Sequence, residues 1–516
     1  MQTRSSTKRQ LIRNIGSNWS AMVIAGLASF IMLPINLKYL GKEVYGISIL
    51  ATSFLTMFQF LSFGLSPTLL RFFSNAINKD DKTEIENIAS TSIFILGGLG
   101  CLGAIIFLVS YPNFLSFYEI PKTYHLSLFI LFLVMAFGFW ETFYLIPFYA
   151  LIQGSNRFDS ASLNRIIAVL LRVSMLYCGY KILTPSLLVI ALALLTESIF
   201  RLCFVQLLAF RLHGKRAFFQ FKNLSLRMIP ALFSFSLLTL IDSTCYSAAY
   251  QIPILIIGKV MDKEMVAAFY PAILFSSFFS SIIRMAVIPF VPLASKNAIQ
   301  QGGNSLGKWS IWIGELVAFV AICLSMIVII SLKELIPIWI DDESLAWTSR
   351  TIVVLTVGAV IAAIQGVNYN LALGASTIVP CAVSRIVVVI LTSMGTFLGT
   401  TFWNWSILQV AFCIAIVFVT RTVVLDYIYS RLFRYRFLHY IWNVYGKTTL
   451  IAIPFIILGL WLKSHLPFQL SMIGIIVYDG VFALSYLIIS WVFVLNKELK
   501  MAISDVIPFK KYFIKR

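Results

Sequence analysis

The sequence is poor in charge. Only 12% of its 516 residues are Asp, Glu, Lys or Arg, about half the ~25% of a soluble globular domain. That excludes a water-soluble enzyme or binding module. Histidine is scarce too: His125, His213, His439 and His465 each stand alone in a predicted loop. They offer no ligand set for a metal centre. The seven cysteines contain no Cys-x-x-Cys pair and lie in or at the edge of apolar segments. They read as small buried apolar residues, which excludes a disulfide framework. The alternating ~10-residue segments of a membrane β-barrel are missing. No polar stretch is long enough to fold as a separate soluble domain.

Apolar runs fill the chain instead. Hydrophobic residues make up 59% of it, in runs of ~20 residues or more, enough to cross a ~30 Å hydrocarbon core as helix. Fourteen spans are predicted, at 14–36, 44–70, 88–110, 126–151, 160–180, 186–210, 229–257, 265–291, 309–331, 346–373, 378–400, 404–428, 447–463 and 469–495. The fold class is therefore an all-α polytopic membrane protein. The first thirteen residues are polar and basic, and the apolar segment after them is too long for a cleavable signal core. It reads as a retained span. The formal charge of +19 raises nucleic-acid binding, but the positions of the charges argue against it. With the N-terminus inside, 27 of the 40 Lys and Arg fall in cytoplasmic segments and nine in outer loops. This bias is a topology signal, and it predicts that both termini are cytoplasmic.

The chain also repeats itself. Gly154-Ser155-Asn156-Arg157 is followed by Arg165-Ile166-Ile167-Ala168-Val169-Leu170-Leu171, and 220 residues later Gly374-Ala375-Ser376-Thr377 is followed by Arg385-Ile386-Val387-Val388-Val389-Ile390-Leu391. Leu40-Gly41-Lys42 and Ile257-Gly258-Lys259 form a looser second pair. Duplicated multi-span halves mark secondary transporters. The expected organisation is a six-helix bundle at 1–210, a basic linker at 211–228, a second six-helix bundle at 229–430, and two extra helices with a basic tail at 431–516. Six spans per half give parallel repeats. The linker and the tail ending Lys510-Lys511-Tyr512-Phe513-Ile514-Lys515-Arg516 suit anionic membrane lipids.

Several motifs dissolve in context. Gly98-x-Gly100-x-x-Gly103 matches a dinucleotide fingerprint but lies inside a span, where close helix packing explains it better. Gly302-x-x-x-x-Gly307-Lys308 resembles a phosphate loop, but Trp309 stands where Ser or Thr is required. Three Asn-x-Ser sites, at Asn18, Asn223 and Asn404, carry little weight, since at least two fall in spans or on the cytoplasmic side. No cofactor is implied. The outer acidic group Glu334, Asp341, Asp342 and Glu343 reads as a solvated loop. Charges inside spans are more informative, because burying them in lipid is costly. Arg284 and Asp242 are the leading candidates for a substrate cavity, followed by Arg172, Arg421, Glu141 and Asp479. Arg71 and Arg13, near span ends, can also snorkel to the head groups. Glu197 and Arg201, four apart on one helix, are expected to pair with each other.

Leu40-Gly41-Lys42-Glu43-x-Tyr45-Gly46, followed by Phe63-Gly64-Leu65 and Arg71-Phe72, resembles the N-terminal region of polysaccharide flippases of the multidrug/oligosaccharidyl-lipid/polysaccharide exporter superfamily. Gln153-Gly154-x-x-Arg157-Phe158-Asp159 is similar to that family's turn after the fourth span. The resemblance implies two six-span bundles around a central cavity, and a transporter rather than an enzyme. It implies export of an undecaprenyl-diphosphate-linked oligosaccharide, an O-antigen unit for example, to the outer leaflet of a bacterial plasma membrane. The implied partners are that lipid-linked substrate and polysaccharide polymerase or assembly proteins. Arg13, Arg71 and Arg284 match the family's cavity cations by span alone. Lipid II flippases share the span count. A cation-coupled drug exporter of the same superfamily and a membrane enzyme acting on lipid-linked sugars are the alternatives.

Overall fold

A computed structural model describes residues 2–62, 64–225, 229–230, 237–287, 303–340, 345, 347–375, 377–465 and 471–493. Phe63, Gly302, Asp341, Asp342, Glu343, Ser376 and the basic tail, all used in the sequence reading, lie outside these residues. Among the described residues the regular structure is helical throughout. The helices are α1 (Gln2–Thr56), α2 (Leu65–Asn78), α3 (Lys82–Val109), α4 (Tyr111–Phe117), α5 (His125–Gly154), α6 (Phe158–Ile182) and α7 (Leu187–His213). After the linker come α8 (Leu237–Val260), α9 (Lys263–Val287), α10 (Gly303–Ile340), α11 (Thr348–Ile364) and α12 (Gly366–Gly374). The chain continues through α13 (Val379–Phe402), α14 (Ile407–Leu432), α15 (Phe437–Ile441), α16 (Lys447–Ser464) and α17 (Met472–Phe493).

Thirteen apolar segments are long enough to cross a membrane, and the first, Gly16–Leu61, is 46 residues long. As one straight helix it would measure ~69 Å, more than twice the hydrocarbon thickness. The backbone breaks it at Gly41, with φ 75° and ψ 172°, a conformation that glycine alone adopts without strain. The expected spans 14–36 and 44–70 are the two sides of that break. Each other expected span overlaps one observed segment, so the protein is a multi-pass membrane protein.

Contacts divide the chain into two compact units. The first is Met1–Tyr270 with Thr396–Trp403, and the second is Pro271–Gly395 with Asn404–Arg516. The expected boundaries at 210 and 229 rest on internal similarity in the sequence and not on contact. That similarity reaches the backbone. Ser155 N–H donates to the Leu151 carbonyl at 3.0 Å and Arg157 N–H to Ile152 at 3.1 Å. Exactly the counterparts 220 residues on, Ala375 to Leu371 at 2.9 Å and Thr377 to Ala372 at 2.8 Å, recur.

In the first unit, α3 packs on α5 through two of its glycines. A Cβ on Gly100 would sit 2.8 Å from the Phe143 Cβ, and one on Gly103 would sit 2.5 Å from the Phe139 ring. The glycine triplet is thus a packing surface at those two positions, while Gly98 faces open space. In the second unit, Ile313, Val360, Ile364, Leu425, Tyr429 and Tyr440 form the main apolar core. The appended hairpin α16–α17 docks on α10, where Ala452, Phe482 and Tyr486 meet Met326 and Ile330. Asp479 is held there, accepting from Ser331 beside Lys463, whose Nζ lies 2.9 Å from Glu334. The outward face of α13 (Val383, Val387, Ile390, Met394) remains uncovered. In water such a stripe would be an aggregation liability. Here it is the side that meets lipid.

Candidate functional site

The first unit encloses a cavity of about 700 Å³, within the ~300–1,000 Å³ range of small-molecule sites. Its polar lining is unusual for the interior of an apolar bundle. Asn36, Thr52 and Gln59 come from the first span pair, Thr142 from α5, Ser198 from α7 and Gln251 from α8. Asn36 is held by the Tyr180 hydroxyl, which donates to its Oδ1 at 2.8 Å. Tyr45 and Tyr270 meet edge to face in the same lining, with centroids 6.2 Å apart.

Three charged side chains line the cavity: Arg172, Glu197 and Arg201. Arg172 on α6 pairs with Glu197 on α7 at 3.6 Å. Arg201 donates to Glu141 on α5 at 2.6 Å. The expected pair within α7, Glu197 with Arg201, is therefore replaced by two pairs between helices. The reason is geometric: α7 lies between α5 and α6, and each neighbour supplies a fixed opposite charge within reach. Glu141 is fully buried, while the Arg201 and Arg172 side chains keep 26% and 34% of their exposure. The Nε atoms of both arginines are buried without a hydrogen-bond partner. Two partly exposed guanidiniums thus line the cavity, each steadied by one carboxylate.

Apart from Asp479 in the appended hairpin, the singled-out residues occupy different places. Arg172 lines the cavity and Glu141 supports it through Arg201. Asp242 is buried on α8 and is not among the lining residues. Arg71 is exposed on α2, opposite its buried face of Leu65, Leu69, Phe73 and Ala76. Arg13 is paired with Asp159 at the start of α6. In the second unit Arg284 donates to Ser281 at 2.9 Å. Arg421 is buried on α14, donating to Ser384 at 3.0 Å and Gln365 at 3.4 Å. Arg421 is also the repeat counterpart of Arg201, again 220 residues on. The sequence reading passed over Asp426, a fully buried acid on α14. An acidic residue within an apolar span was the signal for it.

Solved structures share this fold. The lipid II flippase MurJ, in an inward closed conformation, superposes with a TM-score of 0.69 at 11% identity, covering 94% of this chain and 100% of that one. An inward-facing multidrug resistance MATE family transporter of the MOP superfamily gives 0.67 at 13% identity, covering 80% and 94%. The Vibrio cholerae MATE transporter VcmN, in its bent form, gives 0.54 at 13% identity, covering 83% and 98%. No curated protein sequence matches. The sequence family described as polysaccharide biosynthesis protein matches residues 11–298, more than half of the chain. A polar cavity lined by two arginines and Glu197 thus lies inside a MOP-type helical fold, and the chain belongs to the polysaccharide biosynthesis protein family.

Proposed function

We propose that this protein flips a lipid-linked oligosaccharide, carried on undecaprenyl diphosphate, from the inner to the outer leaflet of a bacterial plasma membrane. The observation that carries the reading is the first-unit cavity, polar and lined by two paired arginines within an otherwise apolar bundle. A diphosphate and its sugars cannot cross ~30 Å of hydrocarbon unaided. Arg172 and Arg201 meet the diphosphate, because a guanidinium binds phosphate oxygens through two parallel hydrogen bonds. Their carboxylate partners keep the empty cavity near neutral and the guanidiniums in place. The amides of Asn36, Gln59 and Gln251 and the hydroxyls of Thr52, Thr142 and Ser198 suit sugar hydroxyls. The lipid tail stays in the bilayer. Arg284, Arg71, Arg13, Asp242 and Arg421 are proposed as further contacts along the route. Membership of a polysaccharide biosynthesis family supports this cargo over a drug molecule.

The test is flipping of a fluorescent undecaprenyl-diphosphate oligosaccharide in proteoliposomes. The wild-type chain should accelerate it. Arg201→Ala should slow it by at least about tenfold, the equivalent of one lost charge-assisted contact of ~1.4 kcal/mol. Arg201→Lys should recover only part, since an ammonium cannot bind bidentately. A wild-type rate equal to that of protein-free liposomes overturns the reading.

A further inference from the structure

The second unit holds an ionisable group in a different setting. Asp426 on α14 is fully buried, and so are Asn368, Ser310 and Tyr440 beside it. Asn368 Nδ2 donates to Asp426 Oδ1 at 2.8 Å, and the Tyr445 hydroxyl lies 3.0 Å from Oδ2. The same amide reaches the Tyr435 and Tyr440 hydroxyls at 3.2 and 3.3 Å. Ser310 donates to the Asn368 oxygen. The titratable and charged groups facing Asp426 are Tyr435, Tyr440, Tyr445 and, five residues earlier on its own helix, Arg421. Among the described residues Asp426 forms no ion pair. Glu141 and Glu197, by contrast, each have an arginine within reach.

A buried carboxylate served only by neutral donors is costly, and such groups usually take up a proton. The surrounding groups fit both forms. As a carboxylate, Asp426 accepts from Asn368 and Tyr445. As an acid, it still accepts from Asn368 on Oδ1, while its own Oδ2–H donates to the Tyr445 oxygen. Only the Tyr445 hydroxyl hydrogen must rotate, and no heavy atom need move, for the proton to arrive or leave.

Two backbone irregularities meet at this point. In the tenth span α11 runs into α12 through Gln365, whose φ of −59° and ψ of −17° stay helical but tighten the turn, and Tyr369 N–H still reaches the Gln365 carbonyl at 3.1 Å. Asn368 sits one turn beyond this irregularity. On the other side, a π-helical turn at Trp442–Gly446 joins α15 to α16. In an α-helix residues five apart point ~140° away from each other. The wider π turn sets Tyr440 and Tyr445 on one side, with ring centroids 6.3 Å apart. Both rings thereby reach the Asp426–Asn368 pair.

We propose that Asp426 is a reversible proton-binding site, framed by Asn368 of the tenth span and by the π turn that brings Tyr440 and Tyr445 to it. Within the transporter reading above, on which this part rests, it is the group that exchanges a proton with solvent during the cycle.

Infrared difference spectroscopy of the full chain in lipid nanodiscs, between acid and alkaline pH, tests it. The wild type should show a protonated-carboxyl C=O band that disappears as pH rises. Asp426→Asn should lose that band completely. Tyr445→Phe, which removes the partner of Oδ2, should shift it, and this variant carries the test should Asp426→Asn fail to fold. Two results overturn the proposal: identical carboxyl difference spectra for wild type and the variants, or an Asp426 band that is the same at both pH extremes. The latter would make Asp426 a permanently neutral structural hub. The measurement needs no lipid-linked substrate, so its outcome is independent of the flipping assay.

Discussion

Arg201 and Arg421 stand at equivalent places in the two repeats, yet they hold different company. Arg201 has a carboxylate partner, Glu141 at 2.6 Å, and opens onto a cavity. Arg421 hydrogen-bonds the neutral Ser384 and Gln365. A duplicated cation has thus been put to two uses by the residues on neighbouring helices. This makes the carboxylate at Glu141 a test of how Arg201 is held. Glu141→Ala leaves the guanidinium uncompensated and should cost about 3 kcal/mol. That is the low end for a broken buried pair, because Arg201 retains part of its exposure. Glu141→Gln keeps an acceptor and should cost about 1 kcal/mol. Thermal unfolding of the purified variants in detergent reads the difference. Equal losses for the two variants would mean that the charge on Glu141 does not matter.

At the scale of elements, the breaks in the helices carry the architecture. Gly41 divides a segment twice too long for the bilayer into two spans. Because its φ and ψ lie where only glycine is comfortable, Gly41→Ala should cost about 1–3 kcal/mol. The loss should appear in unfolding midpoints, whereas Gly16→Ala, at a helical glycine with open space around it, should be neutral or slightly stabilising. The opposite order would assign the bend to neighbouring packing. Close approach matters at a second position. A Cβ on Gly46 would lie 1.9 Å from the Lys263 carbonyl oxygen, so α1 meets the turn between α8 and α9 with no room for a side chain.

At the scale of the whole molecule, the distribution of Lys and Arg sets an expectation that labelling can check. Single cysteines placed at Lys215 and Tyr512 should be protected from a membrane-impermeant maleimide added outside intact cells, and one at the exposed Lys122, in the connection between the third and fourth spans, should react. Labelling of the Lys215 site from outside would reverse the topology. The same distribution explains how a charge of +19 coexists with a mainly apolar chain: most of it sits in the connections, where water and lipid head groups solvate it.

Span number, helical class and the duplicated turn were all legible in the sequence, because each rests on local physics. A run of ~20 apolar residues has one stable form in lipid, since every backbone N–H and C=O must be satisfied within the helix. The turn at Gly154 and its copy at Gly374 close the same backbone hydrogen bonds because the same local pattern recurs. Partners were not legible. The spacing of Glu197 and Arg201 on one helix favours a pair along it, yet tertiary packing brings Arg172 and Glu141 nearer from adjacent helices. Asp426 gains its meaning only from Asn368, Tyr440 and Tyr445, which lie 58 residues before it and 14 and 19 after it. What a residue is and which helix carries it follow from the sequence. What faces it across a helix contact depends on how the helices pack, and in a membrane interior that packing decides whether a charge is paired, hydrated or left to take up a proton.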